Sequence, residues 1–164
     1  MALGPIAAIG CDEIEFLRRE VYRNEKGRVR INLHSENADP LHEMFIAMRP
    51  DSYIRPHKHL NKSEAFHIIY GEADIIIFED DGRIREVVHL ASGSSIKAFY
   101  YRMSKSFFHT LVIRSDVLVV HEITNGPFIN DATIFGDFAP DASSGFNVIS
   151  AWQNELADRV RQMP

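Results

Sequence analysis

The stretch "RPHKHLNKSEAFHIIYG", residues 55–71, gathers side chains that bind metal ions: His57, His59 and Glu64, with His67 three residues further on. Successive side chains of an extended strand alternate between its faces, so His57 and His59 project together from one strand. The four-residue turn "LNKS" then returns the chain with Glu64 beside them. His109, in the later segment "FFHTLVI", is placed to complete the group from across a barrel. Three imidazole nitrogens and one carboxylate oxygen suit one divalent transition metal ion, whether iron, nickel, manganese, zinc, cobalt or copper. Four protein ligands leave coordination positions for water or substrate on a five- or six-coordinate ion. A solvated polar turn is the competing reading of His57, His59 and Glu64, and a satisfied core histidine that of His109. His67 stands at an odd spacing from Glu64, so it faces the other side and is left out of the set.

Face parity extends the site. Tyr53 and Arg55 share the face of His57 and His59 if the strand is regular through Pro56, and they are the candidate catalytic residues. Arg55 would clamp a carboxylate or phosphate of a ligand, or else support Glu64; Tyr53 would donate a hydrogen bond or a proton. Arg30, Asn32 and His34 alternate along an earlier strand and make a polar face, either at the barrel mouth or simply toward solvent. His42, His89 and His121 have no partner at a meaningful spacing and read as surface or structural residues. Phe99, Tyr100, Tyr101, Phe107 and Phe108 read mostly as core, with one ring available as a pocket wall. Lys62 and Arg102 read as solvated charges.

These residues need strands to hold them. From Arg28 onward, short segments rich in Val, Ile, Phe and Tyr recur about every 8 to 12 residues, the pattern of a sandwich or small barrel. They are "RVRINLH", "EMFIAM", "SYIRPH", "AFHIIY", "ADIIIFE", "IREVVHL", "SIKAFYY", "FFHTLVI" and "DVLVVHEI". "EDDGR" is a hairpin turn in which Gly82 tolerates positive φ and Asp80 or Asp81 bonds the local backbone. Before the strands, "CDEIEFLRREVYRN" spaces Ile14, Leu17 and Val21 as an amphipathic helix, with Asp12 and Glu15 as a capping box. After them, "NGPFINDATIFGDFAPDASSG" reads as an ordered loop, and "NVISAWQNELADRVRQ" as a helix presenting Trp152, Leu156 and Val160.

The chain has 164 residues, 45% of them apolar, about the size of one domain. Its formal charge of -5 gives no electrostatic reason to expect nucleic acid or an anionic membrane as partner. The longest apolar run is far too short to span a bilayer, and "MALGPIAAIG" lacks the features of a secretion signal, so a cytoplasmic location is expected. Cys11, the single cysteine, cannot form an internal disulfide.

His-x-His, four residues, Glu, six residues, Gly is the first motif of the cupin superfamily, and residues 57–71 meet it. The second motif is partial: His109 is present, but no Pro-x-Gly precedes it and Ile113 occupies the place of the usual Asn. More narrowly, "RVRINLHSENADPLHEMFIAMRPDSYIRPHKHLNKSEAFHIIYGEADIIIFEDDGRI" followed by "FFHTLVIRSDVLVVHEITNGPF" resembles the WbuC-type cupin fold metalloprotein family over residues 28–128. The resemblance implies an all-β fold, a double-stranded β-helix or jelly-roll barrel with short terminal helices, as a single domain over 1–164. It implies the metal ligands His57, His59, Glu64 and His109, and a link to bacterial surface polysaccharide biosynthesis. Barrels of this kind often pair, so a homodimer is expected. The leading function is a metal-binding cupin that acts on or binds a small polar metabolite such as a sugar derivative, with isomerase or dioxygenase chemistry if it is an enzyme. The alternatives are a non-catalytic metal-dependent sensor module and a metal-free sugar epimerase-like barrel.

Overall fold

The computed structural model describes residues 6–93, 96–129 and 133–163. Two five-stranded antiparallel sheets face each other. The first contains, in spatial order, β1 (Arg28–Asn32), β2 (Leu41–Met48), β9 (Leu118–Asn125), β4 (Glu64–Tyr70) and β7 (Tyr100–Met103). The second contains β10 (Thr133–Phe135), β3 (His57–His59), β8 (Phe108–Ile113), β5 (Glu72–Phe78) and β6 (Ile84–Ala91). This is the expected all-β jelly roll. Between the sheets, Met48, Phe66, Ile68, Leu118 and Val120 pack against Ala73, Ile75, Ile77 and Ile113.

The unbroken apolar run of β5 has a direct physical cause. Alternate residues face the barrel, while Ile76 and Phe78 face outward and pack with Phe108 under α2 (Phe146–Arg161), against Leu156 and Val160. Both faces are therefore buried, and Asp74 of the same strand is accommodated through its bonds to Arg114 and His89. On the other sheet α1 (Cys11–Glu20) lays Leu17 on Ala47, Val117 and Val119, with Val21 just beyond its end, flanked by Val29 and Ile31. Two helices thus cover the outer faces that sheet alternation leaves apolar.

Local details differ from the sequence reading in four places. The α1 start is stabilised by Glu13, whose carboxylate accepts the Gly10 N–H at 2.8 Å; Asp12 lies inside the first turn and Glu15 pairs with Arg18, so the Asp12–Glu15 box does not form. No strand precedes His57 in "SYIRPH", because Pro56 offers no N–H to a ladder. "SIKAFYY" begins its strand only at Tyr100, after a single bridge at Ala98, and Ser95 lies outside the described residues. The loop after Asn125 contains the short strand β10, paired with β3; residues 130–132 of that loop also lie outside the described residues. The "EDDGR" turn forms as expected: Gly82 has φ +82, its N–H donates to the Glu79 carbonyl, and Asp81 accepts the Arg83 N–H. Asp80 turns instead to Lys58, at 2.7 Å.

The α2 cover is testable. Leu156 is 2% exposed, and Leu156→Ala is expected to destabilise the fold by about 2–4 kcal/mol, read as a lower urea midpoint with unchanged slope. Val148, 56% exposed on the same helix, should change stability by less than about 0.5 kcal/mol as Val148→Ala.

Candidate metal centre

Register brings the candidate ligands together. His57 on β3 pairs directly with His109 on β8, and antiparallel partners point to the same side of a sheet. His59 follows two residues after His57, on the same face. From the facing sheet, Glu64 opens β4 and projects inward beside Met103 and Thr124. The ligand atoms of His57, His59, Glu64 and His109 all lie within 4.8 Å of one another. Glu64 and His109 are buried, at 5% and 3% exposure, and His57 and His59 are half-buried.

Ring orientation is fixed from behind. The Nδ1 of His57 lies 2.9 Å from the Arg55 carbonyl, that of His109 3.0 Å from the Phe107 carbonyl, and that of His59 3.0 Å from the Thr133 hydroxyl. A carbonyl oxygen only accepts, so Nδ1 of His57 and of His109 carries the proton, and their neutral tautomers keep the Nε2 lone pair for the interior. The Nε2 of His109 stands 3.1 Å from Glu64 Oε1, yet both atoms are buried without an aligned hydrogen-bond partner. His59 Nε2 is 3.6 Å from Glu64 Oε2. An orphaned His109 Nε2 and two further imidazoles gathered around a buried carboxylate are the donor set of a divalent transition metal, so the residues present fit such an ion.

Electrostatics support the same arrangement. Burial, reinforced by His109, pushes His57 down to about 4, so its imidazole is neutral near neutral pH. Burial also lowers His59. Burial opposes charge on Glu64 and His109 as well, but the mutual attraction of the pair outweighs it, lowering the carboxyl and raising the imidazole.

Tyr53 and Arg55 are not brought to the cluster. The Tyr53 hydroxyl donates to the Pro140 carbonyl at 2.7 Å and its ring meets Trp152 edge-on; burial pushes its pKa up to about 12. The Arg55 guanidinium bonds Asp141 at 2.5 Å and the Gly136 carbonyl at 3.3 Å, and lies over Phe135. With no strand before His57 the expected parity fails, and neither side chain contacts Glu64. Arg55 contributes its backbone carbonyl instead. A cavity of about 160 Å³ between α2 and β8, lined in part by Tyr53 and Trp152, does not reach the cluster.

Other histidines have structural partners. His67 is in register with His121 and packs on Phe99, outside the cluster. His34 lies beyond the end of β1, donates its Nδ1–H to the Glu43 carbonyl, and stacks on the buried His42 at 4.1 Å. His89 bonds the buried Asp74, which Arg114 holds from its other oxygen. His121 stacks on Phe45 near Glu43. Among the aromatic group, Tyr101 and Phe108 are core, whereas Phe99 and Tyr100 are exposed. Lys62 donates to the Pro127 carbonyl, and Arg102 to the Ser63 hydroxyl.

Sequence reasoning missed a polar row facing the cluster. Across the first sheet, Asn32, Met44, Glu122, Phe66 and Tyr101 are successive register partners and share the inward face. Burial, then the charge of Glu64, pushes Glu122 up to about 8, so it keeps its proton at neutral pH. The Tyr101 hydroxyl is buried without a partner, and burial raises its pKa. The signal was present in "LVVHEIT": Leu118, Val120, Glu122 and Thr124 alternate, placing a carboxyl on an otherwise apolar face. Phe135, opposite His57 in register and 49% exposed, forms a further wall.

Comparison with known proteins gives the fold its name. A family profile described as "Domain of unknown function (DUF6016)" matches residues 11–90. No curated protein sequence matches the chain. Among solved structures, a protein from Shewanella oneidensis is similar at 9% identity and TM-score 0.57, covering 85% of this chain and 87% of that one. Salicylate 1,2-dioxygenase from Pseudoaminobacter salicylatoxidans, bound to gentisate, aligns at 12% identity and TM-score 0.58, over 84% of this chain but 39% of that one. Oxalate oxidase with the substrate analogue glycolate aligns at 12% identity and TM-score 0.52, over 82% and 75%. The fold is the cupin fold. At these identities the likeness extends to architecture alone.

Glu122 generates a pH prediction. Its native pKa of about 8 lies above the usual 4.5, so the folded chain holds a proton that the unfolded chain releases. Stability of the metal-free protein should therefore fall as pH rises between these values and level off above about 8. Below about 6.5 the depressed His57 works oppositely, gaining stability with pH, and above it the raised His109 falls in the same direction as Glu122, so the difference between wild type and a Glu122 variant is what reports Glu122. Urea midpoints of Glu122→Gln should be flatter than wild type from about pH 6.5 to about 8; parallel curves would contradict the assignment.

Proposed function

We propose that the chain is a metal-dependent cupin of the WbuC type, a single domain whose barrel core spans about residues 28–128, and that it acts on a small polar metabolite. The observation that carries this reading is the three imidazoles fixed through Nδ1 and turned with Glu64 toward one point. His57, His59, Glu64 and His109 would hold the ion, which when bound polarises a ligand oxygen. Two half-buried histidines leave that point approachable from the barrel mouth, which suits ligand exchange better than a closed structural site.

The chain's own residues supply the rest. Glu122 sets its carboxyl on the facing wall, where burial favours the protonated form, and the unpartnered Tyr101 hydroxyl adds a donor at depth. Phe135 excludes water beside His57. This combination suits proton-transfer chemistry such as isomerisation, and the reading places the reaction in the making of surface polysaccharides on the strength of the run from Arg28 to Phe128. The two enzymes of this fold named above are bound to gentisate and glycolate, both small hydroxy acids, which supports a small polar ligand.

Elemental analysis of the purified protein tests the proposal. About one transition metal ion per chain is expected, and at a free concentration of 100 Kd it should add about 2.7 kcal/mol of stability. His57→Ala and Glu64→Ala should lose the ion while retaining a β-type circular dichroism spectrum. A wild-type protein that takes up none of iron, nickel, manganese, zinc, cobalt or copper would overturn the reading in favour of a metal-free epimerase-like barrel.

A further inference from the structure

We infer that the outer face of the first sheet carries a second cation site, in which His121, Glu43 and His67 hold a zinc ion. None of these residues belongs to the cluster inside the barrel, so the site is separate from the metal-dependent reading above. Three adjacent strands supply it. His121 on β9 is the direct register partner of His67 on β4 and of Phe45 on β2, and Glu43 stands two residues from Phe45, so the three side chains share one face. Ala47 and Val119 lie further along that face under α1, which identifies it as the outer one. Each of the three residues is partly exposed there.

The spacing of His121 and Glu43 is that of two ligands rather than of a hydrogen-bonded pair. Nε2 of His121 lies 3.6 Å from Glu43 Oε1, too far for a hydrogen bond, and this buried nitrogen has no other partner among the described residues. Two donors on a tetrahedral zinc ion, each about 2.0–2.1 Å from it, stand about 3.3 Å apart. Inside the barrel, His59 Nε2 and Glu64 Oε2 keep the same 3.6 Å separation. Both outer partners are held from behind. Phe45 stacks on the His121 ring at 4.6 Å and 9°. Glu43 is anchored by its backbone carbonyl, which accepts the Leu33 N–H and the His34 Nδ1–H.

His67 supplies the third donor by turning its ring. Directly opposite residues on antiparallel strands have Cβ atoms about 4.5–5.5 Å apart, which lets two imidazoles converge on one ion. Among the described residues no hydrogen bond holds the His67 ring, which rests on Phe99 at 5.6 Å, so a change of rotamer breaks none. Two imidazoles and a carboxylate suit zinc, with the fourth position left to water. His89, by contrast, is tied at 2.6 Å to Asp74, whose second oxygen Arg114 occupies, and no space is left between them for an ion. With three ligands at a sheet surface against four in the barrel, the outer site is the weaker and fills when zinc is added. The ion joins β2, β9 and β4 from outside, on the face opposite Glu64.

Zinc titration of the full chain, free of added histidines, tests this, with Glu64→Ala as the background that removes the inner ion. At saturating zinc the wild-type chain should hold about two ions and Glu64→Ala about one. In that background Glu43→Gln, and separately His67→Ala, should weaken the remaining zinc by about tenfold or more. Zinc should also raise the melting temperature of Glu64→Ala and shift the ring proton resonances of His67 and His121, leaving those of His89 in place. Without zinc, Glu43→Gln and His67→Ala should melt within about 2 °C of their parent, because both side chains are partly exposed. Zinc bound by Glu64→Ala with undiminished affinity in both variants, or no zinc bound by Glu64→Ala at all, would overturn the inference. Equal zinc in wild type and Glu64→Ala, lost with Glu43→Gln, would instead uphold the outer site and overturn the metal-dependent reading of the barrel.

Discussion

A carboxylate buried among three imidazoles is the constraint that organises this chain. Removing Glu64 from water costs several kcal/mol unless opposite charge and aligned donors replace the lost hydration. Burial disfavours charge on His57 and His59, so the attraction between Glu64 and His109 is the main compensation within the chain, and the two atoms that face each other are poorly aligned. A divalent ion held by these four residues would resolve both defects at once, since it would supply charge and use Nε2 lone pairs. Much of the surrounding structure serves that alignment: the Arg55 and Phe107 carbonyls lock two rings, and β10 exists at the position where Thr133 can lock the third.

The barrel interior is graded to fit. At one end, Ile68, Val120, Ile75 and Ile113 close the space with aliphatic side chains. Moving along the same strands, Phe66 and Glu122 come next, then Glu64 and Thr124. The polar end is therefore held on rigid strands whose other halves are the core, which is the condition for precise placement of a reacting group. Helices α1 and α2 matter only indirectly, by covering the outer sheet faces.

Much of this was legible before any coordinates. The convergence of His57, His59 and Glu64 could be read because His-x-His survives any regular strand, and Glu64 follows a turn too short to carry it elsewhere. Strand segments were legible wherever alternation or an apolar run was uninterrupted, as in "ADIIIFE". Tyr53 and Arg55 were misassigned because parity is lost across Pro56, and the loop carrying Gly136, Pro140 and Asp141 offers their side chains partners that no local pattern announces. β10 was hidden for a related reason: three residues between turn formers carry no period, and only pairing with β3 makes them a strand. Glu122 was visible in principle, yet a charged residue on an apolar face acquires meaning only when the facing sheet brings Glu64 and His109 near it.

The most direct measurement of the central claim is X-ray absorption at the edge of whichever metal the purified protein carries. Convergence of His57, His59, His109 and Glu64 predicts low-atomic-number neighbours at about 2.0–2.2 Å together with the multiple-scattering pattern of about three imidazoles. A spectrum without imidazole scattering, or one that persists unchanged in His57→Ala, would contradict it.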